Sequence, residues 1–182
     1  MNKFFKTLHL LAAIAFLVTA CIPPVVDVAQ AAPAEVGYQA VLGKSLSDQN
    51  VADFIASNNC VQTGAFQLCR TAGVALWMDS DQIVRSAYLY LDNSDGFSAY
   101  RGELPMKLEA SDTMADVEQK FSYPRDAHML SGPWEPGLPD EGFSPDHVHY
   151  WAIYKRFDLT VIYNTPDLND KNATIHAILT RR

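Results

Sequence analysis

Two stretches of the sequence decide how the chain is built: Val74-Ala75-Leu76-Trp77-Met78-Asp79 and Leu159-Thr160-Val161-Ile162-Tyr163-Asn164. Each is a run of aliphatic, β-branched and aromatic residues that stops at an Asp or Asn, as a strand does when it enters a turn. The flanking sequence matches as well. Downstream, Ala87-Tyr88-Leu89 lines up with Ala177-Ile178-Leu179. Upstream, Phe66 to Arg70 and His149 to Lys155 are further strand candidates, followed by the tight turns Thr71-Ala72-Gly73 and Arg156-Phe157-Asp158. Earlier still, Val51-Ala52-Asp53-Phe54 aligns with Met114-Ala115-Asp116-Val117, each inside a short amphipathic stretch. Val51, Phe54 and Ile55 share one face of the first, with Ser47 as N-cap and Leu46 and Val51 as a hydrophobic staple. Met114, Val117 and Phe121 share a face of the second, capped by Ser111 or Asp112.

The expectation is an α+β fold. Two tandem helix-plus-three-strand units, residues 40–91 and 104–182, form one antiparallel sheet with both helices on one face. Alternation along the strand places Tyr88 and Tyr90 opposite Ala87, Leu89 and Leu91. Small and aliphatic residues suit the helix-covered face, so the two tyrosines belong to the other, open one. Phe54 to Trp77 spans 23 positions whereas Val117 to Ile162 spans 45, so 22 extra residues separate helix from strand in the second unit. They form an inserted loop at 123–147, rich in Pro and Gly, with five acids (Asp126, Glu135, Asp140, Glu141, Asp146) against Arg125. Trp134 and Phe143 are its aromatic anchors. A structureless loop of that length is a candidate binding element.

The N-terminus is an address. Lys3 and Lys6 precede an apolar run from Leu8 to Val18, interrupted by His9 and too short to span a bilayer comfortably. It ends in Leu17-Val18-Thr19-Ala20-Cys21, which looks like a bacterial lipobox with Cys21 as the acylated residue. The alternative is ordinary cleavage after Ala29-Gln30-Ala31 and release as a soluble periplasmic or secreted protein. On the first reading residues 1–20 are a lipoprotein signal peptide, 21–36 a Pro/Ala/Val-rich tether, and 37–182 a single domain. Residue 22 is Ile rather than the inner-membrane-retaining Asp, which directs a palmitoylated lipoprotein to the outer membrane, facing the periplasm. Cys60 and Cys69 then remain as an even pair in an oxidising compartment. A disulfide there closes a short loop and contributes roughly 2–3 kcal/mol. The rivals are a metal pair or a reactive thiol, but the chain has no further Cys and no C-x-x-C.

The chain carries 14 basic and 21 acidic residues, a net charge of −7. Without Lys3 and Lys6 the count is 12 against 21, or −9. That balance argues against nucleic acid and anionic lipid surfaces as electrostatic partners and permits a basic protein. Hydrophobic residues at 48% supply a core. No cofactor motif is present. His147 and His149, two apart on a strand, face one side, with Asp146 beside them, and His176 could approach from the last strand. This is the only candidate metal set, and it lacks the third convergent ligand that zinc requires. Ser144, Asp146 and His147 are too close in sequence for a nucleophilic triad, and there is no G-x-S-x-G elbow.

The tandem helix-plus-sheet layout resembles the β-lactamase inhibitor protein fold, which presents a concave sheet to its partner. The single unit is similar to the SmpA/OmlA outer-membrane lipoprotein domain. There a capped short helix ends in a small-plus-Pro turn that leads into a strand meander. Ser111 to Pro124 follows that pattern, with Phe121-Ser122-Tyr123-Pro124 where the family has Leu-Gly-x-Pro. The resemblance covers residues 40–182 and transfers no binding residue by position. With the acidic charge and the lack of a catalytic set, it implies a non-enzymatic envelope lipoprotein. Such a module binds or inhibits a protein through the open sheet face and the acidic loop, with Trp134, Glu135, Asp140, Glu141, Phe143, Tyr88 and Tyr90 as contacts. The alternative is a metal-dependent or acid/base hydrolase centred on Asp146, His147 and His149.

Overall fold

A computed structural model describes residues 37–94, 96–131 and 149–182, which fall within one compact unit, Glu35–Arg182. The signal peptide, the tether with Cys21, and the loop residues Trp134, Glu135, Asp140, Glu141, Phe143, Ser144, Asp146 and His147 lie outside the described residues. The architecture is α+β: one antiparallel sheet of eight strands and two helices. Among the described residues no helix is long and apolar enough to cross a membrane.

Helix α1 (Gln49–Ser57) is followed by β1 (Val61–Thr63), β2 (Phe66–Cys69), β3 (Val74–Met78) and β4 (Val84–Tyr90). Helix α2 (Met114–Phe121) is followed by β5 (Ala127–Ser131), β6 (His149–Tyr154), β7 (Leu159–Tyr163) and β8 (Ile175–Arg181). Each half therefore has four strands where three were expected. The additional strands are the outer ones in the order β1-β2-β3-β4-β8-β7-β6-β5. Neither shows a strand pattern in sequence. β1 has three residues, two of them exposed, and β5 lies inside the Pro- and Gly-rich segment read as a loop. Its five residues are held by pairing with β6, from Ala127↔Ile153 to Ser131↔His149.

Both helices are too short to persist alone and depend on what they cover. Val51 and Phe54 of α1 and Met114, Val117 and Phe121 of α2 join one cluster with Leu76, Leu89, Val161 and Ile178 of the sheet. The caps lie slightly downstream of their expected positions. Asp48 rather than Ser47 accepts from Asn50 N. Thr113, rather than Ser111 or Asp112, caps α2 in a reciprocal box with Asp116, whose carboxylate accepts from Thr113 N at 2.9 Å. Asp112 instead accepts from Glu109 N and from Lys120 Nζ. Isolated bridges pin both helix entrances, Ser45 to Ile83 and Thr113 to Thr174.

The inner hairpins of the two halves turn alike. Arg70–Ala72 and Lys155–Phe157 are single 3-10 turns, closed by Gly73 (φ 70°) and Asp158 (φ 49°) in the left-handed region. Gly73 is required for a second reason: a Cβ there would collide with Ser98 O and Tyr100 N. Each half also has an irregularity in its last hairpin, between Trp77 and Met78 and between Ile162 and Tyr163. The pairs Leu76↔Ala87 and Val161↔Ile178 show that Ala87 corresponds to Ile178, one residue beyond the sequence alignment. Cys60 and Cys69 are bonded, tying the end of α1 to β2.

α2 ends at Ser122 with φ 45°, the position where the resembling lipoprotein pattern has Gly. A Cβ in the left-handed region costs about 1–2 kcal/mol, which glycine avoids. Ser122 recovers part of this by donating from Oγ to Gln119 O at 3.2 Å. Ser122→Gly is expected to stabilise the protein by about 0.5–1 kcal/mol. An equilibrium urea titration would register this as a higher midpoint at unchanged slope.

Candidate functional site

The sheet face away from the helices is not the open surface expected from the strand alternation. Tyr88 and Tyr90 do stand on it, but they are 7% and 2% exposed and belong to a second apolar cluster with Phe66, Leu68, Trp151, Ile162 and Leu179. Phe97, in the connection that leaves β4, lies flat on Tyr90 with centroids 4.0 Å apart, and Arg70 sits over Phe97 at 5.1 Å. With its two tyrosines packed away, this face contributes buried area rather than an exposed aromatic platform.

Polar chemistry gathers at one end of that face. His149 begins β6 and alternates with Trp151. His176 is the extra residue of the β8 irregularity, since Ile175 pairs with Tyr163 and Ala177 with Ile162. A bulge re-aims the residue it inserts. Here the two imidazoles lie 4.1 Å apart at 16°, buried to 4% and 3% exposure. Asp92 and Ser94, just past β4, and Asn164, just past β7, complete the group. His176 Nδ1 lies 3.0 Å from Asp92 Oδ2, and Asn164 Nδ2 donates to the same oxygen at 2.9 Å. Ser94 Oγ donates to Asp92 Oδ1. His149 Nδ1 donates to Tyr163 O at 3.2 Å.

The sequence thus anticipated two members, His149 and His176, which the structure brings into contact. It missed Asp92, Ser94 and Asn164. The polar run Asp92-Asn93-Ser94 directly after an apolar strand is the available signal, but nothing in it points to a histidine 84 residues away.

Donor and acceptor roles restrict what the group can do. An ionised carboxylate only accepts, so His176 Nδ1 carries a proton directed at Asp92. Ser94 Oγ is 3.3 Å from that same nitrogen. A nucleophilic serine needs the base's lone pair on the nitrogen opposite the one held by the acid, so these three residues do not form a triad. Nor do the imidazoles converge on one ion. A metal lies in the plane of each ring that binds it at about 2.0–2.1 Å, and two near-parallel stacked rings have no such shared point. Among the described residues no group of three His, Cys, Asp or Glu side chains is placed to hold a metal.

Burial pushes the Asp92 carboxyl upward, but the hydrogen bonds from His176 and Ser94, the His176 charge and the Asn164 amide outweigh it and hold it at about 2, against an ordinary 3.8. A depressed carboxylate stabilises the fold above its unfolded value and loses that contribution as pH falls through its folded value. Wild type is therefore expected to lose stability between pH 3.8 and about 2. Asp92→Asn should be less stable than wild type at neutral pH and show a shallower decline across that window. Urea unfolding of both proteins at a series of pH values checks this. Parallel pH profiles would show that Asp92 does not brace the group.

No family model, no curated protein and no solved structure matches this chain.

Proposed function

We propose that this protein is a non-enzymatic binding module of the cell envelope: an outer-membrane lipoprotein, anchored through Cys21 and facing the periplasm, that captures or inhibits a basic protein partner. On this reading the two halves, each a helix and its strands, are two copies of one unit. This agrees with the resemblance to the β-lactamase inhibitor and SmpA/OmlA folds. Cys21→Ser is expected to move the protein from the membrane to the soluble fraction; unchanged fractionation would refute the anchor.

The observation that carries the binding role is the contrast between the two outer hairpins. β1 and β2 are joined by two residues, Gly64 and Ala65, with Gly64 at φ 57°. β5 and β6 are joined by residues 132–148, although their register holds up to Ser131↔His149, just as Thr63↔Phe66 closes the first hairpin. An antiparallel pair can be closed by two residues, so the sheet does not need the extra length. That segment holds Trp134 and Phe143 with Glu135, Asp140, Glu141 and Asp146, and contains no Lys or Arg. Aromatic anchors supply affinity, and a rim of one charge sign speeds encounter with the opposite sign. With Tyr88 and Tyr90 packed, this loop bears the main role in the proposal and the adjoining end of the sheet face a secondary one.

The test is to replace residues 132–148 by Asn-Gly. The cut begins after Ser131 because a deletion from Arg125 would remove β5, the Arg125–Glu118 ion pair at 3.7 Å, and Asp126, which accepts from Lys155 N at 2.7 Å. The expected outcome is a protein with retained circular dichroism and cooperative unfolding that no longer crosslinks to its envelope partner. Trp134→Ala/Phe143→Ala should weaken crosslinking without touching the backbone. Recovery of the same partner by both variants would refute the loop's role. One zinc per chain, lost in His147→Ala/His149→Ala, would instead support the hydrolase centred on Asp146, His147 and His149.

A further inference from the structure

Two buried imidazoles in face-to-face contact do not readily carry charge at the same time. The rings of His149 and His176 lie 4.1 Å apart at 16°, and both are buried. A charge on either is taken out of water, and a second like charge at that distance adds a repulsion that little solvent screens.

The surroundings of the two rings differ, and the difference decides which takes the first proton. His176 Nδ1 faces the Asp92 carboxylate at 3.0 Å, with Ser94 Oγ at 3.3 Å. Asn164 and Ser94 both donate to that carboxylate, which stays ionised throughout the range in which imidazoles titrate. His149 Nδ1 faces an uncharged group, the Tyr163 carbonyl, at 3.2 Å. From β4, Tyr90 meets His176 edge-on at 5.9 Å, and behind it Phe97 carries the Arg70 guanidinium at 5.1 Å. Among the described residues, the carboxylate against the pair thus lies on the His176 side. Attraction to Asp92 favours the imidazolium at His176, whereas burial and the neighbouring charge both oppose it at His149. Groups that interact this strongly take up their protons in two separate steps.

The place of the pair in the fold gives the second step a structural result. His149 opens β6 and pairs with Ser131, the last residue of β5. His176 belongs to the β8 irregularity and is tied through Asp92 to the connection between the halves. The stack therefore joins the start of β6 to β8 across β7. Separating the rings removes that contact and leaves the Asp92–His176 pair in place.

We propose that His149 and His176 form an acid-sensitive latch: at neutral pH the pair holds one positive charge, on His176, and in mild acid a second proton enters His149, drives the rings apart and releases the start of β6. The test is an NMR titration of the full chain labelled with 13C-histidine, in the presence of a chelator, each ring being assigned by its loss in His149→Phe or His176→Phe. At pH 7 the His176 ring is expected in its protonated position and the His149 ring in its neutral one. His149 should take its proton only below about pH 6.5, the ordinary imidazole value, and the ring-to-ring NOE should vanish as it does so. Asp92→Asn should lower the proton affinity of His176 at least about tenfold. An imidazole kept neutral in the fold but free to protonate when unfolded makes the unfolded state bind more protons in acid, so stability falls as pH falls. The urea midpoint of wild type should therefore drop more steeply than that of His149→Phe between about pH 6.5 and about 4.5, above the ordinary carboxylate values. Any of four results would overturn the proposal: both rings protonating together, a His149 that protonates with the ring-to-ring NOE intact, a His176 unmoved by Asp92→Asn, or parallel midpoints for wild type and His149→Phe. The first three are read without His149→Phe having to fold as wild type does, apart from its use in assignment.

Discussion

Pairing of β4 with β8, from Ser86↔Arg181 to Tyr90↔Ala177, makes one sheet out of two four-stranded meanders. Without it each half would expose a strand edge built from Ala87, Tyr88 and Leu89 or from Ala177, Ile178 and Leu179, all at most 7% exposed in the fold. An edge of that composition is a template for aggregation. Joined, the two edges protect each other, and the apolar cluster beneath both helices runs unbroken from Val51 and Phe54 to Met114 and Phe121. Burial on both faces explains why these two strands read as nearly continuous apolar runs.

The junction is braced differently on its two sides. Arg85 and His176 are each the extra residue of the last hairpin in their half. Each is followed by the β4–β8 pairing and preceded by an equivalent backbone contact, Asp79 N to Ile83 O and Asn164 N to Thr174 O. In the first half the brace is local: Arg85 Nε donates to Asp79 Oδ2 at 2.6 Å. In the second, the position corresponding to Asp79 is Asn164, which has no charge to offer. The carboxylate comes instead from Asp92, at the start of the connection between the halves, and Asn164 donates to it. Among the described residues, the polar group at the end of the far face is thus accounted for as a bulge brace.

The same displacement occurs at the other end of the inner hairpins. The Cys60–Cys69 bond ties α1 to β2 in the first half. When the sequence is aligned with Phe54 against Val117 and Trp77 against Ile162, the two cysteines fall opposite Tyr123 and Tyr154. There the tie is aromatic: Phe121 meets Tyr154 at 4.7 Å edge-on and Phe157 at 5.1 Å, and Tyr123 meets Phe157 at 6.2 Å. Aromatic pairs contribute about 0.5–1.5 kcal/mol each beyond the area they bury, so several together reach the order of a short-loop disulfide. Burial raises the Tyr154 phenol to about 12, so it stays neutral and protonated at ordinary pH. The second half is thus tied at this point by ring contacts where the first has a disulfide.

What was legible in the sequence follows from how local each constraint is. The strands β2, β3, β6 and β7, their turns, and the opposition of Tyr88 and Tyr90 to Ala87 and Leu89 depend on composition and on a period of two. Both are visible within ten residues. The alignment of the last strand is off by one position because Ala87-Tyr88-Leu89 matches Ala177-Ile178-Leu179 in composition, and only the partner strands, which pair Ala87 with Leu76 and Ile178 with Val161, fix the register. β5 was hidden because the five residues Ala127–Ser131 take their strand character from β6, across residues 132–148. Asp92 was hidden for the same reason on a longer scale, since its role comes from an asparagine 72 residues away and a histidine 84 residues away. Its neighbours reveal only that it leaves a strand. Residues that act on their own element were therefore readable, and residues that act by completing another element were not. In this molecule the second kind lies both at the sheet edge, where β5 completes β6, and at the joint between the halves, where Asp92 completes the turn of β7 and β8.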